Sequence, residues 1–599
     1  MDVLLRSSAL KVPPKLASRS RGTDIYLHQF QEQQHGLHAR THLEHVSQLD
    51  IDSSSAYVRQ TTIVCTLGEL WNSDEQIKVM IRGGMNILRM NLSMGTHEYF
   101  ADAIRRVRAI EESSGHNPPV GIALDISAPP VRTGLVNNNL EASIILKDGQ
   151  SVQLTTNERY RDRTTEDVIW VDSQYYPTVL QRLAPGDRFY LDDGMLSLIV
   201  QTVGCDTVEC LVERGGELGS WKRVELPSER LYPADFETTY KTDLAYASEC
   251  KVDYVFTGYA STPNKLLYAK DILGPEIKLF AKVENREAMR NSKQFYLSSN
   301  LLLLLLSRQS SSFLQTYSID SLDQLMSVAD GIIIGRGGLG LRYPPEKIFQ
   351  IQKQLIVKCN ILGKPVFVIT QLLESMRFKP RATRAEISDV ANAVIDGADG
   401  LILTVETSRG LYPRETLRVL HMTCREAESA IYHGKFCYDL KFSRDLRGLS
   451  PMEPVYFTAL AAVEASNACN ASAIVVTTTT GHSATAIASF RPSCPVIAVV
   501  RSPEVARHCH SFRGIHPFVC MGNEMIDWSD DMDARLNKAI EFGCSRWFIA
   551  GGDNVVIVSG WEAGADATNT VRVFEVPTGG IPINIVNSHA SLSGKELND

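Results

Sequence analysis

Eight short runs of apolar, largely β-branched residues recur through the middle of the chain, at 62–67, 86–91, 120–126, 254–258, 277–283, 331–336, 365–370 and 400–404. This repeat constrains the fold more than any other feature. The runs are continuous rather than alternating, which marks strands buried on both faces, as in a parallel sheet covered by helices. Helical patterns follow them, for example over 73–82, 97–112, 346–362 and 384–396. Ser73, with Asp74 and Glu75 behind it, has the chemistry of an N-cap followed by acids that favour the helix dipole. Eight strand–helix units predict an α/β chain built on a (β/α)8 TIM barrel.

The repeat is interrupted once. Between the third strand and the next barrel helix lie SVQLTT, VIWVDS, RFYLDDGMLSLIVQTV and TVECLVE, separated by Gly and Pro turns. They read as a small inserted β-barrel domain at the strand's C-terminal end. Beyond about residue 430 a second α/β pattern begins, with strands at 471–478 and 495–500 around a helix at 484–490, and further strands ending at Cys520 and over 554–560. The expected organisation is therefore an N-terminal arm (1–57), a first barrel segment (58–129), the inserted β domain (130–234), a second barrel segment (235–430), a C-terminal α/β domain (431–577) and a tail (578–599). Residues 291–318, rich in Ser and Leu, fit neither periodicity, and so long a structureless loop is unusual in a compact domain. The hypothesis is that 291–318 is an aberrant or retained segment; peptides spanning it in the native protein, seen by mass spectrometry, would refute that.

A chain of 599 residues exceeds one hydrophobic core. Its net charge of −8 gives no general basic footprint, so a nucleic-acid partner is not expected. The longest leucine run, Leu301–Leu306, falls far short of the roughly 20 residues that span a bilayer. The 12 cysteines form no C-x-x-C pair, and singles such as Cys65, Cys250 and Cys359 sit in apolar runs, as buried thiols do in a reducing compartment. A cytoplasmic protein is expected. The alternative is a mitochondrial leader, from Arg6, Lys11, Lys15, Arg19 and Arg21 against the single acid Asp2.

Ligands of such a barrel meet the C-terminal ends of its strands. The polar residues at those ends are Arg89, Asn91 and Ser93, then Asp125, then Lys282 and Glu284, then Arg336-Gly337-Gly338, then Thr370, and last Thr404 and Glu406. Lys282 and Glu284 are two apart and point to one side of their strand. An ammonium beside a carboxylate suits phosphoryl transfer to a metal-bound nucleotide, the cation balancing the moving charge and the carboxylate holding the metal. The same two residues could form a structural ion pair at the rim, and Arg89 could merely bridge strand ends. Convergence of polar groups from six strands on one face favours a site.

The segments MNILRMNLSMGTHEY (85–99), ALDISAPPVRTG (123–134), LDDGMLSL (191–198), GGELGSWKRVELP (215–227), KVEN (282–285), TQLLESM (370–376), KPRATRAEISDVANAVIDGADG (379–400) and ETSRGLYP (406–413) resemble, in order, the signature segments of the pyruvate kinase family. The resemblance covers nearly the whole of Leu43 to Pro577 except the 291–318 segment. It implies transfer of the phosphoryl group of phosphoenolpyruvate to ADP, giving pyruvate and ATP in glycolysis. By that resemblance Lys282 stabilises the transferring group, Glu284 binds Mg2+ or Mn2+, and Arg89 contacts phosphate. Arg132 and Lys222 reach the nucleotide, the Gly337 and Gly338 amides hold the substrate carboxylate, and Thr370 lies where the enolate is protonated. Asn91, Ser93 and Asp125 become ligands for K+. In the C-terminal domain, Thr478, Thr480, Gly481 and Ser483, with Trp528 and Arg535, fall at positions of the family's sugar-phosphate effector site. A homotetramer is implied by analogy alone.

The chain departs from the family pattern at several of these places. Gly338 stands where the family has a second metal-binding Asp, which implies reduced activity. Ile126 replaces a Thr, Met94 a His and Val405 a Gly; Ser127 and Pro130 replace a Lys and a Glu. Gly68-Glu69-Leu70-Trp71 replaces Gly-Pro-Ala-Ser, and Glu562 replaces an Arg of the effector loop. The rival reading is a catalytically inactive paralogue that acts as a binding or structural subunit. A Schiff-base aldolase using Lys282 is disfavoured by Glu284 beside it.

Overall fold

The structure is a computed structural model. It describes residue 33 and residues 39–578 except 69–70, 127–130, 140–141, 173–182, 193, 206, 226–234, 259–261, 285–288, 290–320, 447–452, 522–527 and 561–567. The 291–318 segment, the basic leader, nearly all of the tail, and Glu69, Ser127, Pro130 and Glu562 lie outside the described residues.

The eight apolar runs form one closed barrel of parallel strands: Thr62–Thr66, Ile87–Asn91, Gly121–Ile126, Tyr254–Thr257, Lys278–Val283, Gly331–Gly335, Val366–Ile369 and Gly400–Leu403. Each pairs with the next in sequence, and the eighth closes on the first through Thr62↔Gly400 and Cys65↔Leu403. Alternate side chains fill the interior, where Val64, Ile87, Tyr254, Phe256, Phe280, Ile333, Phe367 and Ile402 share one core. The large rings need small neighbours. A β-carbon on Gly331 would run into Phe280, and one on Gly400 would lie 2.8 Å from Phe367. The opposite alternation, including Cys65, Leu88, Leu124, Ile126, Leu279 and Ile334, packs outward against the helices.

The helix Asp74–Arg82 starts as the sequence indicates: Ser73 caps it, and its hydroxyl accepts from the Gln76 amide while Gln76 reaches back. The helices His97–Ser113, Ile348–Leu362 and Arg384–Ile395 match the expected stretches closely. Thr383 and Glu386 form a second capping box on the last of these.

The inserted region is a seven-stranded sheet around its own core, with Leu154, Ile169, Phe189, Leu198 and Val208 fully buried. Its outer strands, Val131–Arg132 and Val168–Trp170, meet through the Thr133↔Val171 bridge, which closes the sheet on itself. Four short strands escaped the sequence pattern: Val131–Arg132, Ser143–Leu146, Gly216–Gly219 and Arg223–Glu225. The hairpin turn at Gly194, with φ +88°, rests against the Leu341 side chain of the barrel helix Arg336–Arg342. The inserted domain thus touches the barrel beside the sixth strand's end.

The C-terminal sheet runs Ile515–Val519, Val496–Val500, Ala473–Thr477, Asn554–Gly560, Thr568–Glu575, with only the last strand antiparallel. It docks on the N-terminal ends of the barrel strands. Thr62 Oγ1 donates to His510 O at 2.7 Å, Tyr254 Oη to Arg507 O at 2.7 Å, and Arg507 Nε to Asp253 at 2.6 Å. The opposite end of the barrel, where the strands finish, is left to the inserted domain.

Candidate active site

Three strand ends bring four charges together. Asp125, fully buried at the end of the third strand, takes a different cation on each oxygen. Arg89 reaches Oδ2 with Nε at 2.7 Å and Nη2 at 2.6 Å; Lys282 Nζ sits 2.9 Å from Oδ1. Register explains the reach. Asn91, not Arg89, lies opposite Asp125, so Arg89 starts two residues lower and needs its long stem. Its remaining nitrogen, Nη1, donates to Thr66 Oγ1 at 2.8 Å, which donates on to Leu403 O at 2.7 Å. Lys282 also lies 3.2 Å from Glu284 Oε1, so ammonium and carboxylate do share one side of the strand.

The row Arg89–Asp125–Lys282–Glu284 alternates in sign and sums to zero. Burial by itself pushes the Asp125 carboxyl up. Arg89 and then Lys282 outweigh that and hold it down at about 2. Asp125 is therefore fixed as an anion, and its role toward Lys282 is to keep a buried ammonium in place. Glu284, about a quarter exposed, is the member of the row that solvent and ligands can reach.

Glycines wall in Glu284. A β-carbon on Gly258, just after the fourth strand, would lie 2.9 Å from Glu284 Oε2 and 3.3 Å from Lys282 Cε. One on Gly335 would strike the Glu284 side chain. One on Gly338 would lie 2.9 Å from both Cβ and the carbonyl oxygen of Glu284. Gly338 is thus more than the loss of a carboxylate, because Glu284's own Cβ and carbonyl oxygen close over the place where a side chain would start. Gly258 and Gly335 were not singled out in the sequence. Their only signal is a glycine at the end of each strand flanking the fifth.

The seventh strand supplies a held hydroxyl. Thr370 and Gln371 both have positive φ, 74° and 53°, a strained region for non-glycine residues. Arg336 holds them there: Nη2 donates to Thr370 O and Gln371 O at 2.7 Å each, and Nη1 pairs with Asp389 at 2.6 Å. The Thr370 hydroxyl accepts from the Gly337 amide at 2.8 Å and donates to Ile369 O at 2.6 Å. The Gly337 amide, assigned from the sequence to a substrate carboxylate, is engaged by Thr370 in this structure. Arg336, placed at a strand end by the sequence but given no role there, is a positioning residue.

Other expected residues fall in separate places. Arg132 and Lys222 are neighbours in the inserted sheet, where Thr133 N donates to Lys222 O at 2.8 Å. Arg132 Nη1 donates to Trp221 O at 2.9 Å, and Lys222 pairs with Asp192 at 2.8 Å. Glu406 is buried and spends its carboxylate on the Thr404 and Leu373 amides, at 2.7 and 3.3 Å, so it is structural. Thr404 Oγ1 bonds the same carboxylate at 3.1 Å.

Among the described residues no group of three or more His, Cys, Asp or Glu side chains could enclose a metal ion. A divalent ion fits only in a reduced form, with Glu284 as the single protein carboxylate. Mg2+ tolerates that, since it keeps several waters and takes oxygens from substrate phosphates. For a monovalent cation, Asn91 Oδ1 already accepts from Ser93 N at 3.1 Å and both Asp125 oxygens have cationic partners, which leaves their second lone pairs. Replacement of the Thr by Ile126 removes no oxygen from this row. Its side chain alternates away from Asp125 into the outer core, so a hydroxyl at that position would not face the strand-end row, and its absence costs that row nothing.

In the C-terminal domain the loop hydroxyls are used locally. Thr478 Oγ1 accepts from Gly481 N at 3.0 Å, Thr480 Oγ1 from His482 N at 3.4 Å, and Ser483 Oγ meets Thr568 Oγ1 at 2.8 Å. Gly481, at φ +83°, opens the short helix His482–Ala488. Trp528 begins the helix Trp528–Ser545 and packs on an apolar cluster; Arg535, two turns on, pairs with Asp531 at 2.9 Å.

Comparison with known proteins agrees with this architecture. A family model described as pyruvate kinase, barrel domain, matches residues 58–304 and 313–417, and one described as pyruvate kinase, alpha/beta domain, matches 457–574. The barrel match runs into the 291–318 segment from both sides and breaks only between 304 and 313. The chain is 40% identical over 555 residues to a Homo sapiens protein named pyruvate kinase PKLR, covering 91% of this chain and 90% of that one. It is 34% identical over 533 residues to an Agaricus bisporus pyruvate kinase, covering 88% and 92%. It is 32% identical over 541 residues to pyruvate kinase 1 of Saccharomyces cerevisiae, covering 89% and 99%.

Proposed function

The chain belongs to the pyruvate kinase family, and from that premise we propose that it moves the phosphoryl group of phosphoenolpyruvate to ADP at the mouth of the barrel, giving pyruvate and ATP. The observation that carries this reading is the Asp125–Lys282–Glu284 row, with Lys282 Nζ held 2.9 Å from one carboxylate and 3.2 Å from the other.

Lys282 is pinned from below by Asp125, so it presents a fixed ammonium to an arriving phosphoryl group. Preorganised charge of this kind costs no rearrangement when negative charge develops. Arg89, anchored by Asp125 and Thr66, has its guanidinium set against the same wall and binds phosphate as a second cation. Glu284 would hold Mg2+ or Mn2+ together with water and substrate oxygens. That ion, when bound, neutralises charge on the transferring group. Asn91, Ser93 and Asp125 would hold K+.

Thr370 acts at the second step. Arg336 fixes its backbone, and its hydroxyl can take a proton from water and hand it to the enolate carbon once it gives up its bond to Ile369 O. The Gly337 and Gly338 amides then turn to the substrate carboxylate as Thr370 releases Gly337. Arg132 and Lys222, at the base of the inserted domain, would meet the nucleotide. The effector loop at Thr478–Ser483, with Trp528 and Arg535, is proposed as a phosphate site. Glycolysis in the cytoplasm and a homotetramer complete the proposal; no helix among the described residues is long and apolar enough to cross a membrane.

One observation favours a rival. The missing carboxylate at Gly338, and the lack of room for one, suit a subunit that binds without turnover. Purified full-length chain with phosphoenolpyruvate, ADP, K+ and Mg2+ or Mn2+ decides between them. Pyruvate formation, faster with saturating Mn2+, supports the enzyme; none at saturating Mn2+ supports the rival.

A further inference from the structure

Away from the barrel mouth, a cavity lies where the C-terminal domain docks on the barrel. Ile395 and Gly397 line it from the barrel, Ile431, His433 and Phe436 from the connecting segment, and Arg491, Pro492, Arg513 and Gly514 from the C-terminal domain. The hollow measures about 350 Å3 including its open side, and its interior has room for a particle of about water size. Three of the lining side chains carry a buried nitrogen with no hydrogen-bond partner among the described residues: Arg491 Nε, Arg513 Nη2 and His433 Nδ1. These residues are only 6%, 5% and 7% exposed.

The charges around it do not balance. Arg444, Arg491 and Arg513 are buried, against two buried carboxylates, Asp399 and Glu428. Asp399 is taken up by Arg491, which grips both its oxygens, with Nη2–Oδ2 at 2.8 Å. Glu428 spends its oxygens on the Gln60 and Thr61 amides and the Thr61 hydroxyl, at 2.8, 2.7 and 2.6 Å. Arg513 feels Glu428 and Asp399, and its backbone N donates to Asp399 Oδ1 at 2.9 Å, but among the described residues its guanidinium has no carboxylate within ion-pair distance; its Nη1 donates to Val394 O at 3.1 Å. Arg444 bonds neutral oxygens of Asn360, Ile361 and Ser489 and lies over the Phe490 ring, 4.9 Å from its centroid, with no carboxylate partner among the described residues. Burial and then the charge of Arg513 drive the His433 ring down to about 3, so it stays neutral and adds no charge of its own. Three buried cations against two buried carboxylates leave one positive charge in excess, which is costly in an interior. Water could bridge the unpaired nitrogens but would leave the excess charge.

We propose that this junction is a binding site for a small monovalent anion of halide size, held between Arg491 Nε and Arg513 Nη2. Its occupant cements the C-terminal domain to the barrel, because the two arginines come from one domain and Asp399, Val394 and Gly397 from the other.

Two measurements on the full-length chain test this, with bromide as the probe. Crystals soaked in sodium bromide should show an anomalous peak between Arg491 and Arg513; ordered water there without bromide overturns the proposal. Thermal unfolding is then compared in sodium bromide and in sodium gluconate, an anion too bulky for the small interior of the hollow, at equal ionic strength. General salt effects favour the more strongly excluded anion, gluconate. The site requires the reverse, a higher midpoint in bromide, with the difference lost in Arg513→Met and retained in Arg513→Lys. A bromide effect of the same size in Arg513→Met overturns the proposal.

Discussion

Replacing Lys282 by methionine should damage folding as well as catalysis, and the size of the folding effect follows from Asp125. Asp125 is held at about 2, against an ordinary 3.8, although burial opposes it. At 1.36 kcal/mol per pKa unit this corresponds to about 2–3 kcal/mol of stability at neutral pH. Because the carboxyl is held down in the folded state, that contribution is present above pH ~4 and is lost as pH falls toward ~2. Lys282→Met removes one of the two cations responsible and leaves a buried carboxylate with Arg89 alone. The expected cost is about 1–3 kcal/mol, below the 3–5 kcal/mol of a pair broken outright. The acid loss should also become smaller and end at higher pH, since its lower edge is the folded-state pKa of Asp125, which rises once burial is less opposed. Urea unfolding of wild type, Lys282→Met, Asp125→Asn and the double variant, from pH 7 to pH 3, reads both effects. The double variant should be less destabilised than the two single effects added, by about 0.5–3 kcal/mol. Strict additivity, or a Lys282→Met curve that overlays wild type, would refute the coupling.

Gly338→Ala should lower stability by about 1–3 kcal/mol, because its β-carbon must push back Glu284, and Gly338→Asp should pay the same cost in thermal melts. An unchanged melting temperature in Gly338→Ala would show that the Glu284 backbone does not lie against it. Glu284→Gln should weaken Mn2+ binding, read by electron paramagnetic resonance, by about tenfold or more while leaving the fold intact; unchanged affinity places the metal elsewhere. Arg336→Met frees Thr370 and Gln371 from their left-handed conformation and should lower kcat by about ten- to hundredfold with a small change in KM. A change confined to KM would contradict a positioning role. Asp253→Asn, on the barrel floor between Arg108 and Arg507, should cost about 3–5 kcal/mol and leave KM unchanged.

The barrel was legible because a strand buried on both faces is a continuous apolar run, and eight such runs with helices between them leave few alternatives. The strand Thr568–Glu575 escaped notice because it is a half-exposed antiparallel edge, broken by polar residues such as Asn569, Thr570 and Arg572. Two-residue strands such as Val131–Arg132 have no period to detect. At the site, Lys282 and Glu284 could be paired from their spacing alone. The Arg89–Asp125–Lys282 junction could not, since it depends on the register between strands. Ile126 is a different case: strand alternation alone turns its side chain away from Asp125, and its place in the outer core agrees. The glycines around Glu284 and the grip of Arg336 on Thr370 belong to neighbouring strands, and no local pattern announces them.

Single-turnover transfer tests the central claim most directly. Full-length chain in excess over isotopically labelled phosphoenolpyruvate, with ADP, Mn2+ and K+, is quenched over time and the label followed into ATP. The account expects label in ATP from wild type and a rate lower by about 10²-fold or more in Lys282→Met. Label that stays in phosphoenolpyruvate with wild type, or equal transfer by both proteins, would contradict it.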